Sequence, residues 1–371
     1  MKSINFLKNE LERIYTKVRE REKKEALFHQ KWNKNLEKLG IVREILRKVL
    51  PLQIKQEIYF YFKKTQKDDL WEVSLCEKKW AIDFLLYILD KNPDIPYEFF
   101  SKENHSEMTK FIRNKILLAL FDYIPKSELF DENDLKRQKN WQNLYKNNKI
   151  IKKKNHYEFM GFKSKIVHFE PQIFFGKYGL DYIKSKEKLK NSTIIDCGAY
   201  IGDSALIFEK ELPPKEIICI EPDEKNYEIL LENIKLNNLA NKIKAIKIAV
   251  GNKETKGNII LNGESSAYII ETSNGKVQFS TIDNLVFDSL KISNVGLIKM
   301  DIEGYELLAM KGASETIKKF KPVLIICVYH KAQDFFEIPR YLKEIVPEYK
   351  FLFVNINFES PIFEKVLIAQ I

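Results

Sequence analysis

The chain has only four cysteines, Cys76, Cys197, Cys219 and Cys327, and they lie far apart in the sequence. No two of them form a Cys-x-x-Cys pair, so the spacing typical of a zinc site is absent and no metal ligand set is predicted. Three of the four, all except Cys76, lie in apolar runs typical of strands, where a free cysteine behaves as a small buried hydrophobic residue. We therefore expect a reducing, cytoplasmic location.

Long apolar segments are missing as well. No run approaches the roughly 20 residues that a membrane-spanning helix needs. The first residues, Met1 to Glu25, are charged throughout, unlike a secretory signal. Internal repeats and low-complexity linkers are also absent, whereas 44% of the residues are hydrophobic. The composition therefore predicts a globular protein without a membrane span.

The positive charge is unevenly distributed. The net charge is +10, and residues 1–160 contain 34 Lys and Arg against 24 Asp and Glu, which leaves 28 against 28 for the remaining residues. Such an excess suits an acceptor with phosphate or carboxylate groups, or nucleic acid. It is equally typical of a solvated helical surface, because the charges alternate in sign. Nucleic acid is the less favoured partner, since no RNA-binding signature accompanies the charges.

Helical periodicity dominates the first 150 residues. Apolar residues recur at spacings of three and four over residues 3–48, and further helices are predicted at Trp80–Leu89 and Thr109–Tyr123. We predict a basic, mainly α-helical domain over residues 1–150, for substrate recognition or for oligomerisation, including a homo-oligomer formed through these helices. The polar stretch Lys146–Asn155 is the predicted boundary.

Alternating strands and helices follow in residues 151–371. Apolar runs predict strands at residues 194–197, 216–220, 244–250, 295–300 and 323–329, with helices between them that include one over residues 305–320. This pattern predicts an α/β fold with a Rossmann-like, doubly wound and mostly parallel sheet. The last two predicted strands, 351–354 and 365–368, are close in sequence and are expected to form an antiparallel C-terminal hairpin.

The first of these strands leads into an Asp-x-Gly-x-x-x-Gly motif at residues 196–202. A dinucleotide-binding fingerprint requires a middle glycine that this motif lacks. An acid before the first glycine would repel a pyrophosphate but suits a ligand with an ammonium group. The motif therefore favours S-adenosylmethionine over NAD, although a tight strand-to-helix turn without a ligand would have the same spacing.

Polar residues stand at the carboxyl ends of several predicted strands: Asp196, Glu221, Asp301 with Glu303, and His330. In a doubly wound sheet these ends meet at one edge, where ligands bind. Glu221 is suited to accept hydrogen bonds from ribose hydroxyls, or alternatively to cap the helix that follows it. The sequence thus predicts a single site at this edge.

Several segments together resemble the FkbM family of S-adenosylmethionine-dependent methyltransferases: residues 196–203, 220–222 and 281–283, the Lys-x-Asp-x-Glu-Gly-x-Glu element at 299–306, and Gly312-Ala313. The resemblance covers about residues 160–371. It implies a Rossmann-like methyltransferase fold and O-methylation of a sugar or polyketide hydroxyl. It also implies that Asp196, Gly198 and Gly202 surround the methionine moiety of the cofactor and that Glu221 contacts its ribose.

The predicted cofactor-binding residues are Asp196, Gly198, Ala199, Tyr200, Gly202, Asp203, Glu221 and Pro222. The predicted catalytic residues are His330, Asp301 and Glu303. An unperturbed histidine pKa near 6.5 suits a general base, but a structural role for His330 is an equal alternative. The two carboxylates can act as base, bind the acceptor, or bind a divalent cation, although a metal is not predicted.

We therefore predict an S-adenosylmethionine-dependent O-methyltransferase that acts on a hydroxyl of a sugar, nucleotide-sugar, glycan or other small-molecule natural product, with an anionic acceptor as one option. The alternative is a nucleic-acid methyltransferase that uses the basic helical domain as a clamp. Against it, the chain lacks the Asn/Asp-Pro-Pro-aromatic motif expected of base N-methylation. A binding module that retains the fold without activity is a third interpretation.

Overall fold

The computed structural model describes residues 70–121, 123–261, 267–272 and 274–371. The helix predicted over residues 3–48 lies outside the described residues. The described chain divides into two compact units, one with residues 70–94 and 109–132 and the other with residues 95–108 and 133–371. The predicted role of residues 1–150 as a domain for recognition or oligomerisation stays a prediction.

The first unit is mainly helical. It contains β1 (Leu70–Glu72), α1 (Leu75–Lys91), the C-terminal part of α2 (Lys102–Leu120), β2 (Tyr123–Pro125) and α3 (Lys126–Leu129). Ser74 begins α1 with a capping box, because its hydroxyl accepts from the Glu77 N–H while Glu77 accepts from the Ser74 N–H. The predicted helix Trp80–Leu89 lies within α1. The second predicted helix ends earlier than expected, since Tyr123 already belongs to a strand.

The second unit contains the remaining elements. Its helices are α4 (Glu132–Asn147), α5 (Pro171–Phe174), α6 (Asp203–Glu211), α7 (Glu224–Leu236), α8 (Ile282–Asn284), α9 (Glu306–Lys311), α10 (Ser314–Phe320) and α11 (Ala332–Ile345). Its strands are β3 (Ile151–Lys152), β4 (Tyr157–Phe159), β5 (Phe162–Ser164), β6 (Thr193–Cys197), β7 (Glu216–Ile220), β8 (Ile243–Ile246), β9 (Ala249–Val250), β10 (Thr255–Leu261), β11 (Ala267–Glu271), β12 (Val277–Ser280), β13 (Val295–Met300), β14 (Val323–Cys327), β15 (Lys350–Asn355) and β16 (Lys365–Gln370).

In the described part of the chain, the main sheet has seven strands in the order β15-β16-β14-β13-β6-β7-β8. The five strands from β14 to β8 are parallel, and β16 is antiparallel to both of its neighbours. The α/β fold, the mostly parallel sheet and the C-terminal hairpin are therefore confirmed. Strand β6 is buried along its whole length, as expected for a strand of a parallel sheet that is covered on both faces.

Two predicted elements are divided. The helix expected over residues 305–320 is interrupted at Gly312-Ala313, which separates α9 from α10. A Cβ atom on Gly312 would lie 2.0 Å from the Gly251 carbonyl oxygen, so the chain approaches closely at this point. The strand expected over residues 244–250 is divided into β8, in the main sheet, and β9, which pairs with β12 in a four-stranded sheet of order β11-β10-β12-β9.

Candidate functional site at the carboxyl ends of the parallel strands

The loop after β6 is shaped by close packing at its two glycines. Gly198 has φ +74°, and a Cβ atom there would lie 1.8 Å from the carbonyl oxygen of Asp301. Gly202 has φ +85°, and a Cβ atom there would lie 2.5 Å from Leu230 in α7. Both positions therefore require glycine for conformation and for space. The loop is held against β7 because the Gly198 and Ala199 N–H groups donate to the Ile220 carbonyl, at 2.9 and 3.0 Å.

Asp196 and Lys299 form a buried ion pair at the junction of β6 and β13. The two residues are aligned in the parallel register, and Lys299 Nζ lies 3.0 Å from Asp196 Oδ1 and 2.6 Å from the Gly198 carbonyl oxygen. The Ser204 hydroxyl donates to Asp196 Oδ2 at 2.6 Å. Burial lowers the pKa of Lys299, but the carboxylates of Asp196 and Asp301 raise it above its usual range. The ammonium group that pairs with Asp196 is therefore that of Lys299, a residue of the protein, and not that of a ligand.

Glu221 is a buried carboxylate at the end of β7. Its two oxygens accept from the Tyr200 N–H and the Asp223 N–H, both at 2.9 Å. Burial raises the pKa of Glu221 to about 7. The cap of α7 is Asp223, which accepts from the Asn226 N–H, and Pro222 separates it from Glu221. Glu221 is therefore directed towards the glycine loop and does not serve as the side-chain cap of α7.

Asp203 begins α6 beside a histidine that sequence reasoning did not single out. Its Oδ1 accepts from the Ser204 N–H, whereas its Oδ2 lies 4.0 Å from His168 Nε2 and has no hydrogen bond within the described residues. The His168 and Tyr200 rings are in edge contact, with centroids 5.0 Å apart. Burial raises the pKa of Asp203 to about 6. His168 belongs to an irregular segment, so periodicity carried no signal for it.

Three of the predicted residues converge after β13 and β14. His330 Nε2 lies 3.5 Å from Asp301 Oδ1 and 3.7 Å from Glu303 Oε2. Glu303 has a φ of +56°, in a turn that Gly304 completes at φ +91°. Burial raises the pKa of Glu303 to about 7. The predicted catalytic residues Asp301, Glu303 and His330 are thus brought together in one cluster.

Glu306 has the largest influence among the neighbouring carboxylates on the protonation state of His330. It is fully buried, and its Oε1 lies 2.8 Å from His330 Nδ1 while accepting from the Ile302 N–H at 2.9 Å. Burial lowers the pKa of His330, but the carboxylates of Glu306, Glu303 and Asp301 raise it, to about 10. His330 therefore carries a proton at neutral pH in this arrangement. In the sequence, Glu306 stands out only as the last residue of the Lys-x-Asp-x-Glu-Gly-x-Glu element.

Two tyrosines lie beside this cluster. The buried Tyr178 hydroxyl donates to Asp301 Oδ2 at 2.9 Å, and its ring lies 5.2 Å from Lys299 Nζ. The Tyr329 hydroxyl donates to Glu364 at 3.0 Å. Burial, followed by the charge of Asp301, raises the pKa of Glu364 to about 8. Neither Tyr178 nor Glu364 belongs to a sequence motif or to the carboxyl end of a predicted strand.

Among the residues that the structure describes, two groups of side chains could offer ligands to a metal ion. The ligand atoms of Asp301, Glu306 and His330 lie within 4.8 Å of one another, and so do those of Asp301, Cys327 and Glu364. Glu306 in the first group already accepts a backbone N–H and contacts His330 Nδ1. The Cys327 thiol in the second is kept protonated, because burial raises its pKa well above the usual range. A thiolate is the form that binds metals, so the second group is not prepared for an ion in this state.

The family model that matches this chain covers the segment that contains the strand-end residues described above. The family model for the methyltransferase FkbM domain matches residues 196–353. Methyltransferase sdnD of Sordaria araneosa is 24% identical, over 34% of this chain and 61% of that protein. The chain therefore spans less than two thirds of this relative's length.

Similar solved structures include methyltransferase FkbM from Methylobacillus flagellatus, with 24% identity, a TM-score of 0.41, and coverage of 55% of this chain and 48% of that one. TYW2 of M. jannaschii, solved in complex with AdoMet, has 18% identity, a TM-score of 0.31, and coverage of 60% and 84%. Among the described residues, no helix has the length and apolar character needed to cross a membrane. Over residues 196–353 the chain is therefore similar to the methyltransferase FkbM domain family.

Proposed function

We propose that the chain is an S-adenosylmethionine-dependent O-methyltransferase whose cofactor binds along the loop after β6 and beside Glu221. One observation carries this proposal: the polar groups at four parallel strand ends converge on one edge of the sheet, with Glu221 bonded to the Tyr200 N–H and His330 within 3.7 Å of both Asp301 and Glu303. This edge is where ligands bind in open α/β sheets.

The residues present fit the cofactor. Glu221 accepts one N–H on each oxygen, which leaves further lone pairs for the two ribose hydroxyls. Asp203 Oδ2, which has no hydrogen bond within the described residues, can accept from the ammonium group of the methionine moiety. Ala199 and Tyr200 belong to the loop after β6 along which the cofactor is proposed to bind, and Pro222 follows Glu221 directly. Asp196 acts in this proposal through Lys299 and Ser204, which it holds in place.

When bound, S-adenosylmethionine supplies a methyl group on a positively charged sulfur. The protein's tasks are to orient an acceptor hydroxyl in line with that methyl group and to remove the hydroxyl proton. We propose that the Glu303 carboxylate accepts this hydroxyl proton, because its pKa of about 7 is matched to neutral pH. His330, with a pKa of about 10, is protonated and holds Asp301 and Glu303 by charge. This assignment replaces our prediction of His330 as the general base.

The acceptor class remains part of the proposal. We propose a hydroxyl of a sugar, nucleotide-sugar, glycan or other small-molecule natural product. A reacting end without negative charge suits the surroundings of Asp301, because the acidic groups of Glu303, Glu306 and Glu364 lie around it. The neighbouring cations are His330 and Lys299. An anionic group, if present, would have to be bound away from this cluster.

The direct test is calorimetry with S-adenosylmethionine and S-adenosylhomocysteine. We expect binding in the micromolar range typical of cofactors, and a loss of at least about tenfold in affinity for Glu221→Gln, which keeps the shape but removes the charge. Glu216→Gln is the matched control, because Glu216 lies at the opposite end of β7 and pairs with Lys244. Absence of binding by the folded wild-type chain would refute the proposal.

A further inference from the structure

The proposed methyl transfer leaves one surface without a role. Residues 146–167 contain seven lysines, no arginine and a single acidic residue, Glu158. They include the last residues of α4 and the three-stranded sheet of order β3-β4-β5. We refer to residues 146–167 as the lysine platform. Lys146, Lys149, Lys152 and Lys154 are exposed and form no ion pair with any described residue.

Exposed aliphatic side chains are concentrated in the same segment. Eight large hydrophobic residues are exposed in the described part of the chain, and four of them belong to the lysine platform: Ile150 (40%), Ile151 (49%), Met160 (38%) and Val167 (56%). Single exposed hydrophobic residues need no explanation, but four of them within 22 residues are unusual in the described part of the chain. The same segment therefore presents both lysines and aliphatic side chains to solvent.

The lysine platform is anchored to the second unit and is not a loose loop. Phe159 and Phe162 are buried on either side of the β4–β5 turn, whose central residues, Met160 and Gly161, have φ of +50° and +86°. The backbone of Lys163 bonds to the Asn237 side chain through both its N–H and its carbonyl. Because the backbone is held in this way, Met160 at the turn stays outside the core.

The chemistry of the lysine platform discriminates between classes of partner. Protein interfaces are enriched in aromatic residues and Arg and depleted of Lys. Single-stranded nucleic acid is bound by aromatic stacking and by Arg, yet the exposed side chains here are aliphatic and every cation is Lys. Lysines alone could protect the edge strand β3 from pairing. The exposed Ile151 on the same strand, with the exposed Ile150 just before it, would work against that protection.

We propose that the lysine platform docks on an anionic lipid surface, where the aliphatic side chains enter the interface and the lysines meet the headgroups. Aliphatic insertion combined with several lysines is the combination that gives reversible surface binding. The platform leads directly into the candidate site, because Val167 is followed by His168, which lies 4.0 Å from Asp203. Docking would therefore hold the site close to an acceptor carried by the membrane.

Co-sedimentation of the full chain with vesicles tests this proposal without any cofactor. Vesicles of phosphatidylcholine mixed with phosphatidylglycerol should bind the chain, vesicles of phosphatidylcholine alone should bind it weakly, and added salt should release it. Each lysine near such a surface contributes about 1 kcal/mol, so K149Q/K152Q/K154Q should weaken binding by about 100-fold. The variant I150T/I151T should also weaken vesicle binding, although the net charge of the protein is unchanged.

The matched control is K188Q/K225Q/K235Q, which removes three exposed lysines of the same unit outside the platform. It should bind the mixed vesicles nearly as well as the wild type. The proposal is overturned if the wild type ignores phosphatidylglycerol, if the control loses as much affinity as the platform variant, or if single-stranded RNA binds while vesicles do not. Because methyl transfer is not measured, failure of the proposed function would leave this result unaffected.

Discussion

At the scale of single residues, the Asp196–Lys299 pair is the clearest case of a charge held inside the protein. Removing one partner by D196N or K299M leaves the other charge buried, which should cost roughly 3–5 kcal/mol of the free energy of unfolding. The double variant D196N/K299M leaves neither charge and should cost less than the sum of the two single variants. Urea unfolding of the four proteins measures this coupling.

The exposed ion pair Lys247–Glu224 is the control for that experiment. K247M should leave the free energy of unfolding nearly unchanged, because solvent screens such a pair. Strictly additive effects of D196N and K299M would contradict a direct interaction between the two buried charges.

His330 should make stability depend on pH in a defined direction. Its pKa is raised from 6.5 to about 10 in the folded protein, so the stabilisation is fully present below pH 6.5 and is lost as the pH rises towards about 10. We expect His330→Gln to destabilise the protein by roughly 3 kcal/mol below pH 6.5 and by much less near pH 10. Urea unfolding at the two pH values checks this, and a deficit that grows with pH would contradict it.

Glu303 should set the pH dependence of methyl transfer. A base must be unprotonated, so kcat should rise with pH through about 7, the pKa that burial gives Glu303. Glu303→Gln should lower kcat by at least about 100-fold and remove this limb of the pH profile. His330→Asn should retain the limb. The opposite result, with the limb lost only in the His330 variant, would return the role of base to the histidine.

At the scale of elements, the turn between β6 and α6 packs tightly against the turn after β13, and its conformation requires this close approach. Gly198→Ala places a methyl group 1.8 Å from the Asp301 carbonyl oxygen, so we expect lower stability and loss of cofactor binding. Gly161→Ala is the matched control, because its φ of +86° is also positive but no atom lies within 4 Å of the added methyl group. Thermal unfolding and calorimetry should show a much smaller effect for Gly161→Ala. Equal effects would mean that backbone strain alone accounts for the loss.

The strands of the main sheet were largely predictable from the sequence. Runs such as Thr193–Cys197 and Val295–Met300 are apolar because they are buried on both faces, and polar residues mark their ends. The break between α9 and α10 was not predictable, since it depends on the contact between Gly312 and the distant Gly251. The hydrophobic pattern of a short stretch thus predicts its helix or strand. It does not predict an interruption that is caused by a contact with a distant part of the chain.

At the scale of the whole molecule, the candidate site is assembled from segments that are distant in sequence. The strand-end rule predicted Asp196, Glu221, Asp301 and His330, because parallel strands bring their carboxyl ends together. The pairing of Lys299 with Asp196 requires the register of β6 against β13, which no local pattern contains. His168, Tyr178 and Glu364 come from irregular segments, and their positions follow only from the packed structure.

The central claim is that this edge of the sheet binds S-adenosylmethionine and transfers its methyl group to a hydroxyl. Calorimetry of the full chain with S-adenosylmethionine tests it most directly. We predict micromolar binding at one site per chain, weakened at least about tenfold by Glu221→Gln and unchanged by Glu216→Gln. No heat of binding from the folded wild-type chain, or equal binding by Glu221→Gln, would contradict the account.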